Sequence, residues 1–191
     1  MLQAADLTLG ILAGGRASRL GGRDKAWLVR DGRTQLERLC TAHAGAAAEV
    51  LVSANGDPSR HASIGLRAIA DRVPGIGPMG GLDALAAACN TPWLLTVPVD
   101  AIALPHDLVP RLAAAGASGA VAEDADGLQP LVALYRVAPL RGALARAIAS
   151  GEFSVRALQA GMALPVAAMR ELRFGNLNTP EDLRRAGVDD A

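Results

Sequence analysis

The sequence predicts an α/β protein, a single three-layer α/β/α domain built on a doubly wound, mostly parallel sheet. Short apolar segments alternate with segments whose apolar residues recur at helical spacing, as expected for repeated βαβ units. The segment WLLTV at 93–97 is apolar at nearly every position, which is typical of a parallel strand covered on both faces. A chain of 191 residues is also long enough for one domain with a sizeable core.

The individual elements follow from the same patterns. We expect strands at residues 7–12, 49–53, 66–70, 93–97, 119–123 and 130–135, and helices at 35–47, 80–89, 106–115 and 138–149. A last helix is expected after Thr179, because Thr179, Pro180 and Asp182 supply an N-cap, a first-turn proline and a first-turn acid. No linker or repeat divides the chain, so residues 1–191 are assigned to one domain.

Composition argues against several classes of function. The 19 basic and 19 acidic side chains balance, so no general attraction to nucleic acid or an anionic membrane is expected. An aromatic content of 3% argues against base-stacking surfaces. We expect a soluble, cytoplasmic protein, since neither a signal-peptide pattern nor a spanning apolar run of ~18 residues is present. Cys40 and Cys89 form no metal or disulfide motif, and each is interpreted as a small apolar residue rather than a nucleophile.

The overall charge balance conceals a local excess of positive charge. Six basic and three acidic residues fall within the first 33, around the segment LAGGRASRLGGRDK that follows the first predicted strand. Its glycines allow backbone N–H groups to converge on a polyanion. Its lysine, Lys25, is the one lysine beside 18 arginines, and a compact ammonium suits phosphate oxygens. The segment matches neither a Walker loop nor a dinucleotide fingerprint, and a flexible Gly/Arg surface loop is the alternative interpretation.

Polar residues also follow the other predicted strands, at the sheet edge where doubly wound proteins bind ligands. Asn55 either contacts a nucleotide or forms a turn with the residues after it. Asp71 precedes a second Gly-rich loop, at 73–81, which either holds an anion at a helix N-terminus or only shapes the helix entry. Asp100 follows the most apolar strand and suits Mg²⁺, with a capping or salt-bridged carboxylate as the alternative.

The order of these motifs resembles one family closely. LAGGRASRLGGRDK is followed by SAN, D-x₅-GPMGG, VPVD, QPLVALY and finally FGNLNTPEDL, which contains Asn176 and Asn178. This order resembles the molybdenum cofactor guanylyltransferase family, within the nucleotide-diphospho-sugar-transferase-like nucleotidyltransferases, from about Leu9 to Leu183. The first motif is highly specific and NLNTPEDL is a second signature, although Asn178 alone could be a turn residue. One departure is that the family often has Asp-x-Pro where Asp100 is followed here by Ala-Ile, which loosens the expectation of a rigid loop.

The resemblance implies a reaction and a set of residue roles. GTP and molybdopterin-bound molybdenum cofactor would give a guanine dinucleotide cofactor and pyrophosphate, with Mg²⁺ as the metal. Lys25 and Asp100 would be catalytic, and Asp100 would bind the metal. The nucleotide would be bound by Leu12, Ala13, Gly14, Gly15, Lys25, Asn55, Asp71 and Asp100. The pterin side would be lined by Arg19, Gly22, Gly80, Gly81, Asn176 and Asn178. The GTP-binding half would be about residues 7–100 and the cofactor-binding half about 101–185.

Other functions remain as alternatives at this point. A CTP-using cytidylyltransferase of the same cofactor is the nearest, but such relatives tend to have A-A-G at 13–15 and no acid before the lysine, so Gly14 and Asp24 favour guanine. A sugar-1-phosphate nucleotidyltransferase usually has a longer chain. A non-catalytic nucleotide-binding protein of the same fold would not require Lys25 and Asp100. Transient contact with other cofactor-biosynthesis or acceptor enzymes is also expected, because the product is oxygen-sensitive.

Overall fold

The central layer of the protein is a seven-stranded sheet, seen in a computed structural model that describes residues 2–14 and 24–188. The strands are β1 (Leu7–Leu12), β2 (Val29–Arg30), β3 (Arg33–Thr34), β4 (Glu49–Ser53), β5 (Arg67–Ile69), β6 (Trp93–Pro98), β7 (Gly119–Asp124), β8 (Gly127–Arg136) and β9 (Val166–Ala168). Their order in the sheet is β5-β4-β1-β6-β8-β7-β9, and β2 pairs with β3 in a separate hairpin. Only β8 runs antiparallel to its neighbours, so the sheet is mostly parallel, as predicted.

Helices cover both faces of this sheet. They are α1 (Gln35–His43), α2 (Ser59–Ala62), α3 (Pro78–Ala88), α4 (Leu108–Ala115), α5 (Val137–Ser150), α6 (Val155–Gly161) and α7 (Pro180–Arg185). One apolar core contains residues of α1 and α4, and the other contains residues of α3, α5 and α6, each with buried strand residues. The predicted three-layer α/β/α fold class is therefore confirmed. No helix within the described ranges is long and apolar enough to cross a membrane.

The path of the chain creates a crevice between β1 and β6. From β1 the chain moves outward through β4 to β5, and then returns through α3 to form β6 on the other side of β1. Such a reversal separates the connections that follow the two central strands and leaves room for a ligand beyond their carboxyl ends. The residues that follow β1, β4, β5 and β6 all lie at this one edge.

The sequence predicted the longer elements well and missed the shortest ones. The six predicted strands and the predicted helices are present, with ends displaced by a few residues, and Thr179 forms the expected N-cap, in a capping box with Asp182. The hairpin β2–β3 was missed, although its turn residues Asp31 and Gly32 have φ values of 51° and 72°, as in an Asp-Gly hairpin turn. Short β9 and α6 were also missed, because three or seven residues show too little periodicity.

The cysteines fit their interpretation as apolar residues. Burial, together with the nearby negative charge of Glu37, raises the pKa of the Cys40 thiol to about 11. Cys40 is therefore protonated near pH 7 and a poor nucleophile, since the thiolate is the reactive form. Cys89 is 1% exposed and packs in the core that contains α3 and α5.

Candidate active site

A cleft with several charged side chains in its wall lies at the carboxyl ends of the central strands. The segments after β1, β5 and β6 contribute to it, and β4 contributes its last residue, Ser53. The described residues that line it are Leu12, Ala13, Gly14, Asp24, Lys25, Ser53, Asp71, Gly77, Pro78, Gly81, Pro98, Val99, Asp100 and Leu131. The cleft therefore occupies the crevice that the sheet topology creates between β1 and β6.

Lys25 lies at the centre of this cleft and joins three distant parts of the chain. Its Nζ donates hydrogen bonds to Asp100 Oδ2 at 2.8 Å and to Asn178 Oδ1 at 2.6 Å. The Lys25 and Asp100 side chains are only 21% and 19% exposed, so their ion pair is partly shielded from solvent. Asp24 begins the short helical turn that carries Lys25, and its carboxylate caps that turn by accepting from Ala26 N at 3.0 Å. The ammonium is thus held in place without filling the cleft.

The segment that carries Asn178 runs beside the backbone of Asp100. Leu177 N donates to Asp100 O at 3.0 Å, and Asn176 forms a β-bridge with Ala101. These backbone contacts bring Asn178, 78 residues further along the chain, to the end of β6 and explain its contact with Lys25. Asn178 is therefore more than a turn residue, whereas the Asn176 side chain has no hydrogen bond to other described residues.

Asp124, which sequence reasoning missed, anchors the beginning of the same segment. It lies at the end of β7 and is 2% exposed. Its carboxylate accepts hydrogen bonds from Phe174 N, Gln129 Nε2 and Asp126 N, at 2.8, 2.8 and 2.9 Å. A carboxylate directly after a predicted strand was the available signal, but its partner Phe174 lies 50 residues away in the sequence.

We expect Asp124→Asn to destabilise the protein by about 1–3 kcal/mol, because the amide replaces one acceptor oxygen by a donor that faces other donors. Urea unfolding of the variant and the wild type measures this difference. Asp126→Asn is the matched control, since Asp126 is more exposed and pairs only with Arg173 on the surface. Equal stabilities for Asp124→Asn and the wild type would contradict the anchoring role.

Asn55 and Asp71 form a pair across the ends of β4 and β5. Asn55 Nδ2 donates to Asp71 Oδ2 at 2.9 Å, and Asp71 N donates to Asn55 Oδ1 at 2.8 Å. The Asn55 side chain is therefore committed to Asp71 and not to a turn with the residues that follow it. The other carboxylate oxygen, Asp71 Oδ1, is buried and has no partner among the described residues. An unused acceptor in the wall of a cleft is available to a ligand that donates hydrogen bonds.

Gly80 and Gly81 allow the first turn of α3 to pack closely against these strand ends. A Cβ added to Gly81 would approach Ser53 Oγ and Leu12, and one added to Gly80 would lie about 3.0 Å from Asp71 Oδ2. The structure thus places both glycines beside the predicted nucleotide residues rather than beside Asn176 and Asn178. Their predicted role toward the pterin stays a prediction. Ser53, also missed, has a buried hydroxyl without a described partner at the same place.

The remaining predicted site residues divide into two groups. Leu12, Ala13 and Gly14 line the cleft, and Ala13 N is held by Ser53 O at 2.9 Å. Gly15, Arg19 and Gly22 lie outside the described residues. The backbone cradle predicted for the glycine-rich loop is therefore described only as far as Gly14.

The donor set of the cleft fits a magnesium ion held mainly by its substrate. Within residues 2–14 and 24–188, no group of three or more His, Cys, Asp and Glu side chains could hold a metal by itself. Asp100 nevertheless faces the cleft with a partly exposed carboxylate. Mg²⁺ commonly takes one or two carboxylates and completes its shell with phosphates and water. Asp100 fits the role of that carboxylate.

Comparison with known proteins identifies the family. The family model described as the MobA-like NTP transferase domain matches residues 9–165. The chain belongs to this family. It is 41% identical over 181 residues to a protein of Cereibacter sphaeroides named molybdenum cofactor guanylyltransferase, covering 92% of this chain and 93% of the relative. A protein of the same name from Acidiphilium cryptum is 40% identical, covering 92% of this chain and 91% of the relative.

Solved structures support the fold. Molybdopterin-guanine dinucleotide biosynthesis protein A from Archaeoglobus fulgidus superposes with a TM-score of 0.72 at 21% identity, over 94% of this chain and 96% of that one. The 2-C-methyl-D-erythritol 4-phosphate cytidylyltransferase of Thermus thermophilus gives the same TM-score at 24% identity, over 97% of each chain. These neighbours share the α/β architecture of this member of the MobA-like family.

Proposed function

We propose that this protein transfers GMP from GTP to a molybdopterin-type molybdenum cofactor and releases pyrophosphate. The observation that carries the proposal is the convergence of Lys25, Asp100 and Asn178 in one cleft at the ends of β1 and β6. The relatives that share about 40% of the sequence over nearly its whole length carry the name of this activity.

The Asp71 carboxylate favours guanine over cytosine as the base. Ionised carboxylates only accept hydrogen bonds, and Asp71 Oδ1 has no described partner. Guanine offers N–H donors along its Watson–Crick edge, including its 2-amino group, whereas cytosine offers mainly acceptors there and one amino group. A base bound against Asp71 is therefore better matched when it is guanine, which argues against the cytidylyltransferase alternative.

We expect Asp71→Asn to reduce the preference for GTP over CTP by about tenfold or more, since one base contact of this kind contributes about 1–3 kcal/mol of discrimination. Steady-state kcat/KM values for the two nucleotides measure the change. Asp57→Asn, in the exposed turn that follows β4, is the matched control and should keep the wild-type ratio. An unchanged ratio in Asp71→Asn would refute base recognition by this residue.

The attacking group of the acceptor needs no general base. The second pKa of a phosphate monoester is about 6, so the terminal phosphate of molybdopterin is largely dianionic near pH 7. Its oxygen would form a new bond to the α-phosphorus of GTP while the bond to the bridging oxygen of the β-phosphate breaks and pyrophosphate leaves with that electron pair. No histidine is among the described residues that line the cleft, which agrees with a mechanism without proton abstraction.

The residues of the cleft would then act by positioning and by neutralising charge. Lys25, held by Asp100 and Asn178, is placed to meet phosphate oxygens as a compact cation. Asp100 would hold Mg²⁺, which supplies Lewis-acid stabilisation to phosphate oxygens when bound. Because these charged groups are already in position before the reaction, they need little rearrangement to stabilise the charge that develops on the leaving pyrophosphate.

A thermal-shift series with GTP, CTP and ATP, each with and without Mg²⁺, tests the proposal. GTP with Mg²⁺ should raise the unfolding temperature most, because a ligand that binds only the folded state stabilises it in proportion to its affinity. Greater stabilisation by CTP would favour the cytidylyltransferase. No stabilisation by any nucleotide would count against nucleotide transfer altogether.

A further inference from the structure

A second cavity lies on the face of the sheet that α1 covers, outside the nucleotide cleft. It has a volume of about 380 Å³, within the range of small-molecule sites, which begins at about 300 Å³. Its lining residues are Arg30, Arg33, Gln35, Arg38, Leu39, Thr41, Ala42, His43, Ile102, Leu104 and His106. None of them lines the cleft around Lys25, so the two cavities are separate.

The wall of this cavity is cationic. Three arginines come from the hairpin β2–β3 and from α1, and two histidines come from the end of α1 and from the loop after β6. The rings of His43 and His106 lie 6.5 Å apart. No carboxylate is among the lining residues within the described parts of the chain. Burial, and then the neighbouring His106, lower the pKa of His43, so the positive charge of the wall comes from the arginines and not from this imidazole near pH 7.

Two side chains of the cavity wall have polar atoms without a partner among the described residues. His43 is 5% exposed, and its imidazole faces the cavity. Arg30 Nε is buried and also without a described partner. Buried donors are nearly always paired in folded proteins, so an unpaired Arg30 Nε in the cavity wall indicates a ligand that accepts hydrogen bonds.

One acidic residue near this cavity pairs with a cavity arginine, and two others are occupied elsewhere. Asp31 pairs with Arg38 at 3.2 Å but has a side chain that is 77% exposed. Glu37 accepts from the backbone and hydroxyl of Thr34. Asp107 binds Arg111 at 2.8 Å. Within the described chain, none of these three carboxylates lines the cavity, and neither Arg30 nor Arg33 forms an ion pair, so the charges of these two arginines are left for an external anion.

We propose that this cavity binds a phosphate group, either as inorganic phosphate or as part of a small phosphate ester. Several guanidinium groups around a small volume match the oxygens of a tetrahedral dianion, which accept several charge-assisted hydrogen bonds at once. The bound anion would lie against Ile102 and Leu104, in the loop that follows Asp100. Gln35, in the cavity wall, already donates to Ala101 O at 2.7 Å, so the site is built onto the segment that carries Asp100.

Histidine NMR tests this proposal directly, because the chain contains three histidines and only two of them line the cavity. His61 packs against Trp27 elsewhere and serves as an internal reference. Titration with inorganic phosphate at constant pH and ionic strength should shift the signals of His43 and His106 with one saturable dissociation constant. The signal of His61 should stay in place, and saturating GTP should leave the constant unchanged. A parallel titration with phenyl phosphate shows whether the site prefers a phosphate ester or free phosphate, because the preferred ligand has the lower dissociation constant.

Arg33→Gln is the variant of choice, because Arg33 is exposed and makes no ion pair with another described residue, so folding should be preserved. It should weaken phosphate binding about tenfold or more, the size expected for a hydrogen bond to a charged group. Arg67→Gln, on β5 and outside the cavity, is the matched control and should bind as the wild type does. The proposal would be overturned if the NMR signals of all three histidines shifted linearly with phosphate concentration, without saturation. It would also be overturned if Arg33→Gln and Arg67→Gln bound phosphate equally well, or if GTP abolished the shifts of His43 and His106.

Discussion

Lys25→Ala is expected to lower GTP-dependent turnover by about 100-fold or more, the effect of removing one well-placed electrostatic group from an active site. The alanine leaves Asp100 and Asn178 without the ammonium that joins them. Under the proposed function, it would also leave the phosphates of the nucleotide without a compact cation. Pyrophosphate release under single-turnover and steady-state conditions measures the loss. A single-turnover deficit would place the effect in the chemical step rather than in product release.

Two further variants make the Lys25 result interpretable. Lys25→Arg keeps the charge but replaces the compact ammonium by a larger, planar guanidinium, and should recover only part of the activity. Arg67→Ala removes an exposed cation far from the cleft and should have wild-type turnover. Near-normal activity in Lys25→Ala, with the protein folded, would contradict the role given to this residue.

Asp100→Asn should produce a loss of similar size and should also abolish the response of turnover to Mg²⁺. The amide is close in shape to the carboxylate, so the backbone contact of Asp100 with Leu177 should survive. The variant loses the charged oxygen ligand that a hard cation prefers. A Mg²⁺ titration of activity, and of GTP-induced thermal stabilisation, measures both effects.

The control for Asp100 is a second carboxylate in a surface ion pair. Asp126→Asn breaks the pairing with Arg173 at 2.9 Å and should leave the Mg²⁺ dependence unchanged. If Asp100→Asn kept the wild-type Mg²⁺ optimum and rate, the metal would have to be bound elsewhere, and the assignment of Asp100 would be wrong.

Much of the fold and part of the site could be predicted from sequence because both are local. The strands β1 and β6 are short apolar runs, and Asp100 follows β6 directly, so its position at the ligand-binding edge required only the strand assignment. Asp71 and Asn55 were found in the same way. Lys25 was found by composition and by its glycine-rich loop, without any knowledge of its partners.

The contacts that complete the site are non-local and could not be derived from spacing. Asn178 contacts Lys25 although the two residues are 153 positions apart in the sequence. The segment 174–178 that carries Asn178 is held by Asp124 at its beginning and by the backbone of Asp100 near its end. Gly81 shows the same limit, since only the packing of α3 on Ser53 reveals that it lies beside Ser53 and Leu12. No local pattern encodes such tertiary contacts, whereas the family resemblance identified these positions without giving their geometry.

The most direct test of guanylyl transfer at this cleft is the rate of pyrophosphate release from GTP and from CTP, with a molybdopterin-type acceptor and Mg²⁺ present. The wild-type protein should release pyrophosphate from GTP with a kcat/KM about 100-fold or more above that for CTP. Discrimination of this size is expected where a buried acceptor, here Asp71 Oδ1, is satisfied by the N–H donors of guanine and left unpaired by the other base. Pyrophosphate release should require the acceptor, and one guanine dinucleotide product should form for each pyrophosphate released. Equal or faster release from CTP, or no acceptor-dependent release from GTP, would contradict the proposed function.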